Sequence, residues 1–244
     1  MIRVHIPHIP TTSGTTEEEP VSPCGATPPG RSPKVDIRVV LFTVSEGRLM
    51  VALDDCATGP NLPRGWPSPE QSLDIGARRI VEAHLGPKEV YLEQLYSLNV
   101  TEQGAWSIVV SYMALASSQG QNEPGPQGNW HGIETGLIQS VTDRKVLDYA
   151  VVRLRAKLSY TTIAFHLLAP KFTLRELQGV YEAILDHPLD KRNFRRRVFA
   201  TGMLDKTPEK RRDGSHRPAS LYQFRPPHDQ DRFLTPSWVE GSSS

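Results

Sequence analysis

The apolar positions of this chain alternate between strand and helix spacing. VDIRVVLFTV (Val35–Val44) and RLMVALD (Arg48–Asp54) are rich in β-branched and aliphatic residues, and Ser45-Glu46-Gly47 separates them in the pattern of a hairpin. Asp55–Trp66 is dense in Gly and Pro and reads as a loop. Between Ser72 and His84 the period becomes helical, with Leu73, Ala77, Ile80, Val81 and His84 on one face. VYLEQLYSLNV (Val90–Val100) and WSIVVSYMALA (Trp106–Ala116) return to strand patterning, and the second is so continuously apolar that it is expected at the centre of a sheet. Ser117–Asn129 reads as a loop, and Trp130–Ile138 as a short strand and turn.

From Thr142 to Leu158 the spacing of Val146, Leu147, Ala150, Val151, Leu154 and Leu158 predicts a helix. A second apolar block follows at Thr161–Leu168, and the whole stretch either bridges the halves of the chain or pairs two protomers. In FTLRELQGVYEAIL, Thr173 and Glu176 form a capping-box signature, and Leu174, Leu177, Val180, Tyr181 and Ile184 line one face. His187-Pro188-Leu189-Asp190 is a turn ending in an N-cap residue. The next helix, KRNFRRRVFATGML, stops at Thr201-Gly202. Met203–Lys206, the turn-rich basic stretch TPEKRRDGSHRPAS and the strand LYQFR complete the order of a winged helix-turn-helix.

Composition changes this picture at the ends. Of 244 residues, 38% are apolar, and the deficit sits in segments 1–34 and 227–244, which are expected to be disordered tails. No cationic start precedes an apolar run, so no signal peptide is expected, and no stretch is long and apolar enough for a membrane span. Cys24 and Cys56 show no pairing pattern, which fits a reducing cytoplasm. The net charge of +1 hides an asymmetry: residues 1–143 carry 9 Lys/Arg against 16 Asp/Glu, whereas residues 144–232 carry 19 against 10. A basic back half points to a polyanionic partner.

That charge is concentrated where a winged helix meets DNA. Lys191, Arg192, Arg195 and Arg196 share one arc of the second helix, with Phe194, Val198 and Thr201 opposite and Phe199 projecting toward the basic arc. Guanidinium forks suit guanine O6/N7 and phosphate oxygens, and Asn193 adds an amide. Lys210, Arg211, Arg212, His216 and Arg217 cluster around Asp213-Gly214 at the expected wing tip. Thr173 and Arg175 open the first helix, whose N-terminus offers backbone N–H groups to a phosphate.

LPRGWPSPEQSLDIGARRIVEAHLG (Leu62–Gly86) resembles the Nudix box, G-x5-E-x7-R-E-U-x-E-E-x-G-U, where U is a bulky aliphatic residue. Gly65, Arg79, Val81 and Gly86 fall in register, but the Glu positions hold Gln71, Ile80, Ala83 and His84, and Pro87 stands at the last U. Pyrophosphate hydrolysis of this kind needs carboxylates to hold Mg²⁺. Without them a binding domain with no catalytic residues and no metal is expected. A working hydrolase would need Glu70, Asp74 and Glu82 to rebuild the site.

From Val35 to Phe224 the chain resembles the Nudix-related transcriptional regulators of bacterial NAD metabolism. The match rests on AKL-Y-IAF-LL, FTL-EL-VYEAIL, LD-RNFR and RPA-LY-F in the C-terminal part and on YLEQLYS (Tyr91–Ser97) after the box. The resemblance implies an α+β protein: a Nudix-like α/β/α sandwich with a mixed sheet at 35–141, a linker helix at 142–158 and a winged helix at 159–226. It further implies a cytoplasmic, nucleoid-associated homodimer that represses genes from palindromic double-stranded operators, requires no cofactor and senses ADP-ribose or another NAD-derived nucleotide. Arg38, Arg64, Trp66, Arg79 and Trp106 are the candidates for effector contact. The chain departs from the family pattern at Arg64-Gly65, at Trp106 and at Val141-Thr142-Asp143. Two other readings stand beside this one: an active Nudix pyrophosphohydrolase with an accessory nucleic-acid-binding domain, and a scaffold for a protein partner.

Overall fold

Strand β1 (Lys34–Ser45) sends alternate side chains to opposite faces, and from Asp36 to Val44 all of them are buried, most of them apolar. A strand covered on both faces belongs inside a sheet. β1 pairs antiparallel with β2 (Arg48–Ala52) through a two-residue turn in which Glu46 and Gly47 both take positive φ, 51° and 73°. On its other edge it runs parallel to β7 (Ala105–Leu115), the strand predicted to be central, and β7 pairs antiparallel with β6 (Tyr91–Glu102). The structure, a computed structural model, describes residues 34–57, 59–102, 105–117, 129–134, 136–212 and 218–226. Within them the main sheet is six-stranded, in the order β6-β7-β1-β2-β8, with β8 at Trp130–Gly132. The segment read as a loop carries three short strands, β3 (Asp54–Cys56), β4 (Gly59–Asn61) and β5 (Arg64–Gly65). β5 pairs with the first half of β1, Arg38 opposite Arg64, and so fixes the segment that precedes the box helix.

Helix α1 (Leu73–Leu85) covers one face. Ser72 caps its N-terminus, and the chain leaves it at Gly86 with φ 73°. Ala77 and Val81 pack on Ile37, Val39, Tyr112 and Ala114. The approach is close at Gly76, where a Cβ would stand 2.6 Å from Cδ1 of the fully buried Ile37.

The opposite face, lined by Val40, Phe42, Leu49, Val51 and Met113, meets α2 (Val141–Leu158) through Val146, Leu147, Ala150 and Leu154. The same apolar cluster continues through a 3-10 turn (Ile163–Leu167) into α3 (Leu174–Leu185) and α4 (Lys191–Ala200). Both bonds of the predicted capping box are present at Thr173 and Glu176. β9 (Leu204–Arg211) and β10 (Ala219–Phe224) form the wing, and a bridge from Phe172 to Tyr222 ties it to the start of α3. β9 is longer than the sequence reading allowed. Pro208, read as a turn residue, falls where the β9–β10 register shifts, a position that tolerates a missing N–H. The predicted tails lie outside the described residues, apart from Lys34, which opens β1.

Candidate DNA-binding face and effector cleft

α4 is amphipathic with an unusually basic outer side. Asp190 caps it, its carboxylate accepting from Asn193 N at 2.8 Å. Phe194 and Val198 are buried, Phe194 edge-on to Tyr181 of α3. Lys191, Arg192, Asn193, Arg195 and Arg196 are all exposed, and the four cations among them enter no ion pair with a described residue. Arg196 Nη2 donates to Asn193 Oδ1 at 3.2 Å, which holds one guanidinium in place. Phe199 is exposed as predicted and lies edge-on to Tyr222 of β10, so it links the helix to the wing.

The remaining candidates divide by their partners. Arg175, Lys210 and Arg212 are exposed, whereas Thr173 is buried and its hydroxyl accepts from Glu176 N. Glu176 closes the α3 N-terminus through Thr173 N, at 2.7 Å, and pairs with Arg211 Nη1 at 2.5 Å. Arg211 Nη2 also reaches Lys171 O at 3.1 Å. Arg211 therefore braces the wing against α3 from within a strand, not from a turn. His216 and Arg217 lie outside the described residues.

On the α1 side, Arg64, Trp66 and Arg79 border a cleft of about 320 Å³ whose wall also includes Asp54, Gln71 and His84, but Arg64 stands opposite Arg38 in the β5–β1 ladder, so its side chain takes the α2 face, where its charge acts on Asp36. Trp66 is 68% exposed at its rim. His84 Nδ1 lies 2.8 Å from Ile80 O, and Nε2 lies 2.8 Å from Asp54 Oδ1. Gln71 Oε1 is buried and meets no hydrogen-bond partner among the described residues. None of Glu70, Asp74 and Glu82 lines the cleft, and Asp74 instead accepts from Tyr112 Oη at 2.7 Å. Among the described residues no group of three His, Cys, Asp or Glu is placed to hold a metal ion.

Two effector candidates are elsewhere. Arg38 is 1% exposed and sits at an even position of β1, so it points away from the cleft toward α2. There it pairs with Asp36 (Nε to Oδ2, 3.0 Å) and, through Nη1, with Asp143 Oδ1. An arginine this deep must be paired, and both of its carboxylates stand on the far side of the sheet. Trp106 is 48% exposed at the start of β7, cross-strand from Thr101 and absent from the cleft wall. Asp143, read only as a departure from a family triplet, is fully buried, and its Oδ2 accepts from Leu62 N at 3.1 Å. It joins the cleft's approach segment to α2. Burial pushes Asp36 above its ordinary pKa, against the downward pull of the Arg38 guanidinium. Two acidic residues flanking an arginine in one ion cluster were the missed signal: Asp36 lies two positions from Arg38 on the same strand face.

The family model for the NrtR DNA-binding winged helix domain matches residues 164–224. The ADPR responsive transcriptional repressor NtrR of Acinetobacter baylyi is 33% identical over 208 residues, 79% of this chain and 82% of the relative. This chain belongs to the NrtR family. The crystal structure of Shewanella oneidensis NrtR complexed with a 27mer DNA matches with a TM-score of 0.69 at 27% identity, over 82% of this chain and 98% of that one. A MutT/nudix family protein from Enterococcus faecalis shares the fold at 17% identity, with a TM-score of 0.62 over 82% of this chain and 90% of its own. A Nudix-like domain with a mixed sheet and a C-terminal winged helix is thus the NrtR architecture of this chain, as the sequence resemblance implied. As a member of the NrtR family the chain is a transcriptional regulator.

Proposed function

We propose that this NrtR-family protein is a sequence-specific repressor that binds a palindromic double-stranded operator as a homodimer and responds to ADP-ribose or a related NAD-derived nucleotide. The observation that carries the DNA-binding part is the outer face of α4, where Lys191, Arg192, Arg195 and Arg196 stand exposed with no described carboxylate neutralising them. Unpaired cations on a rigid helix release counterions on meeting phosphate and place forks against base edges. Asn193, Arg175, Lys210 and Arg212 extend this surface, and His216 and Arg217 complete it in the proposal. The domain division at 35–141, 142–158 and 159–226 belongs to the same reading, with α2 carrying the nucleotide signal toward the winged helix.

The relatives support the two ligands. The Acinetobacter baylyi protein is named as ADPR-responsive, and Shewanella oneidensis NrtR was crystallised with DNA. The cleft offers a nucleotide Arg79 for its diphosphate and Trp66 for its base, with Arg64 at its border. α2 and its end leave Tyr149, Val152 and Tyr160 exposed, an apolar surface suited to a second copy. No described helix is long and apolar enough to cross a membrane, and a DNA-bound repressor works in the cytoplasm on the nucleoid.

The test is a gel shift on the DNA upstream of the protein's own gene and of NAD-metabolism genes, with random DNA as competitor. Wild type is expected to bind one site preferentially and to lose affinity steeply with salt. Arg195→Ala/Arg196→Ala is expected to cost about 1–3 kcal/mol for each base edge that a guanidinium no longer reads. Equal binding to operator and random DNA would overturn the reading.

A further inference from the structure

One large apolar side chain stands on the cationic side of α4. Phe199 is 49% exposed, whereas Phe194 and Val198 of the same helix are buried. At about 100° per residue, Lys191, Arg192, Arg195 and Arg196 spread over roughly 140° of the helix surface, and Phe199 falls near the middle of that spread. It lies one turn beyond Arg195 and Arg196, at the four- and three-residue spacings that make helix side chains neighbours. It is no part of the apolar cluster that joins α4 to α3, where Phe194 meets Tyr181 instead. Its ring is held from the wing side, edge-on to Tyr222 with centroids 5.7 Å apart. Tyr222 is itself fixed, because its N–H donates to Phe172 O at 2.8 Å and its carbonyl accepts from Phe172 N at 2.9 Å. A phenylalanine half in water forgoes much of the stabilisation that full burial brings, so its place among four cations calls for a use outside the core.

We propose that Phe199 is a specificity-determining residue that reads the C5-methyl group of a thymine in the major groove of the operator. The inference rests on the DNA-binding reading above and deepens it: the cations select DNA, and the ring selects a base. Lysine and arginine side chains find phosphate oxygens and guanine O6/N7, neither of which offers an aromatic ring an apolar contact. Thymine is the one base that carries an apolar group on its major-groove edge, and phenylalanine is among the side chains that meet it. Neighbours on a helix face stand about 5–6 Å apart and bases stack at about 3.4 Å, so the thymine lies one or two base pairs from a base read by Arg195 or Arg196. Tyr222 holds the ring in place before DNA arrives, which lowers the ordering cost of the contact.

The test replaces each thymine of the duplex selected in the gel shift by deoxyuridine, one position at a time, which removes the methyl group and keeps the base pair. With the wild-type full-length chain, one position in each half-site should lower affinity about fourfold, the worth of burying one methyl group. Phe199→Ala should bind the thymine duplex several-fold more weakly and lose no further affinity to deoxyuridine at that position, so the two changes are not additive. Phe199→Leu keeps an apolar end and should retain part of the methyl preference. Lys191→Ala removes a charge and no apolar contact, so it should weaken binding while the full methyl preference stays. The deoxyuridine scan uses the unaltered protein and therefore judges the inference even where a Phe199 variant melts early. Indifference of wild type to every deoxyuridine would overturn the inference and leave the repressor reading intact. Phe199→Ala with its deoxyuridine sensitivity unchanged would also overturn it, because another side chain would then meet the methyl group. Equal weakening of Phe199→Ala on the selected duplex and on random DNA would show a purely structural ring and overturn it as well. Failure of wild type to select any duplex would sink both readings.

Discussion

Asp143→Ala removes one carboxylate from a cluster with almost no access to water. Arg38 and Asp143 side chains are 2% and 1% exposed, and Asp36 is 7% exposed. Deleting Asp143 takes one carboxylate from Arg38 and strips the Leu62 N–H of its acceptor. Breaking a buried ion pair from one side costs about 3–5 kcal/mol, most of it the desolvation of the charge left behind. For a chain of this size each kcal/mol moves the melting point by about 2–4 °C, so a drop of roughly 6–20 °C is expected. Asp143→Asn separates the two roles, since an amide oxygen still accepts from Leu62 N while the charge is gone, and its effect should be smaller. The assay is urea unfolding followed by tryptophan fluorescence, with Arg38→Met and the double variant completing a cycle. The double variant should be destabilised by less than the sum of the singles, by at least about 1 kcal/mol, because the singles share one interaction. A cost below about 1 kcal/mol for Asp143→Ala, or additivity within about 0.5 kcal/mol, would refute the reasoning.

Gly76→Val would drive a branched side chain into Ile37, whose Cδ1 stands 2.6 Å from the Cβ position, and overpacking should cost about 1–3 kcal/mol in the same unfolding assay. At Glu93, burial raises the carboxyl, but hydrogen bonds from Lys157, Tyr91 and Arg153 together outweigh it and its net pKa is lowered. Its stabilisation is therefore present above the ordinary carboxylate value and lost as pH falls through the depressed one, so Glu93→Gln should flatten the fall in melting temperature below about pH 4.5. Asp36, raised by burial, has the opposite sign: its protonated form favours the native state at low pH, and the gain is lost as pH rises through the raised value. Asp36→Asn should thus steepen the fall toward acid and widen the difference between acid and neutral melting points. Lys210→Ala and Arg211→Ala should differ on operator DNA, Lys210 lowering the salt slope by about 1 as a phosphate contact and Arg211 weakening binding with the slope unchanged, since its guanidinium is engaged by Glu176.

Periodicity carried the elements because burial repeats with the backbone. Leu174, Leu177, Val180, Tyr181 and Ile184 were readable as one helix face, and all five are buried. Thr173 and Glu176 were readable as a cap because the bonds of a capping box are local, three residues apart, and both form. The same locality explains the failure at β9, where Pro208 announces a turn by its own chemistry, yet a register shift against β10 accommodates it within a strand. Tertiary pairing overrode propensity there, and no spacing rule sees a partner strand in advance.

The functional residues divide along the same line. Arg79 borders the cleft because the box loop and its helix fold back on each other locally, so its motif position sufficed to place it. Arg38 shares its residue type and stands cross-strand from Arg64, and the two share the face of the sheet that lies away from the cleft. A rule that ranks arginines as nucleotide ligands must therefore first assign faces. On β1 the assignment was available: Ile37, Val39 and Leu41 pack with α1, which leaves Asp36, Arg38, Val40 and Phe42 for the α2 side. What spacing does not provide is the partner, since Asp143 lies 105 residues away in the chain. Asp143 lies in the first turn of α2, where Ser140 caps the helix by accepting from its N–H. Only the packed fold shows that the same carboxylate also anchors Leu62, and so ties the approach to the cleft to the helix that leads into the winged domain.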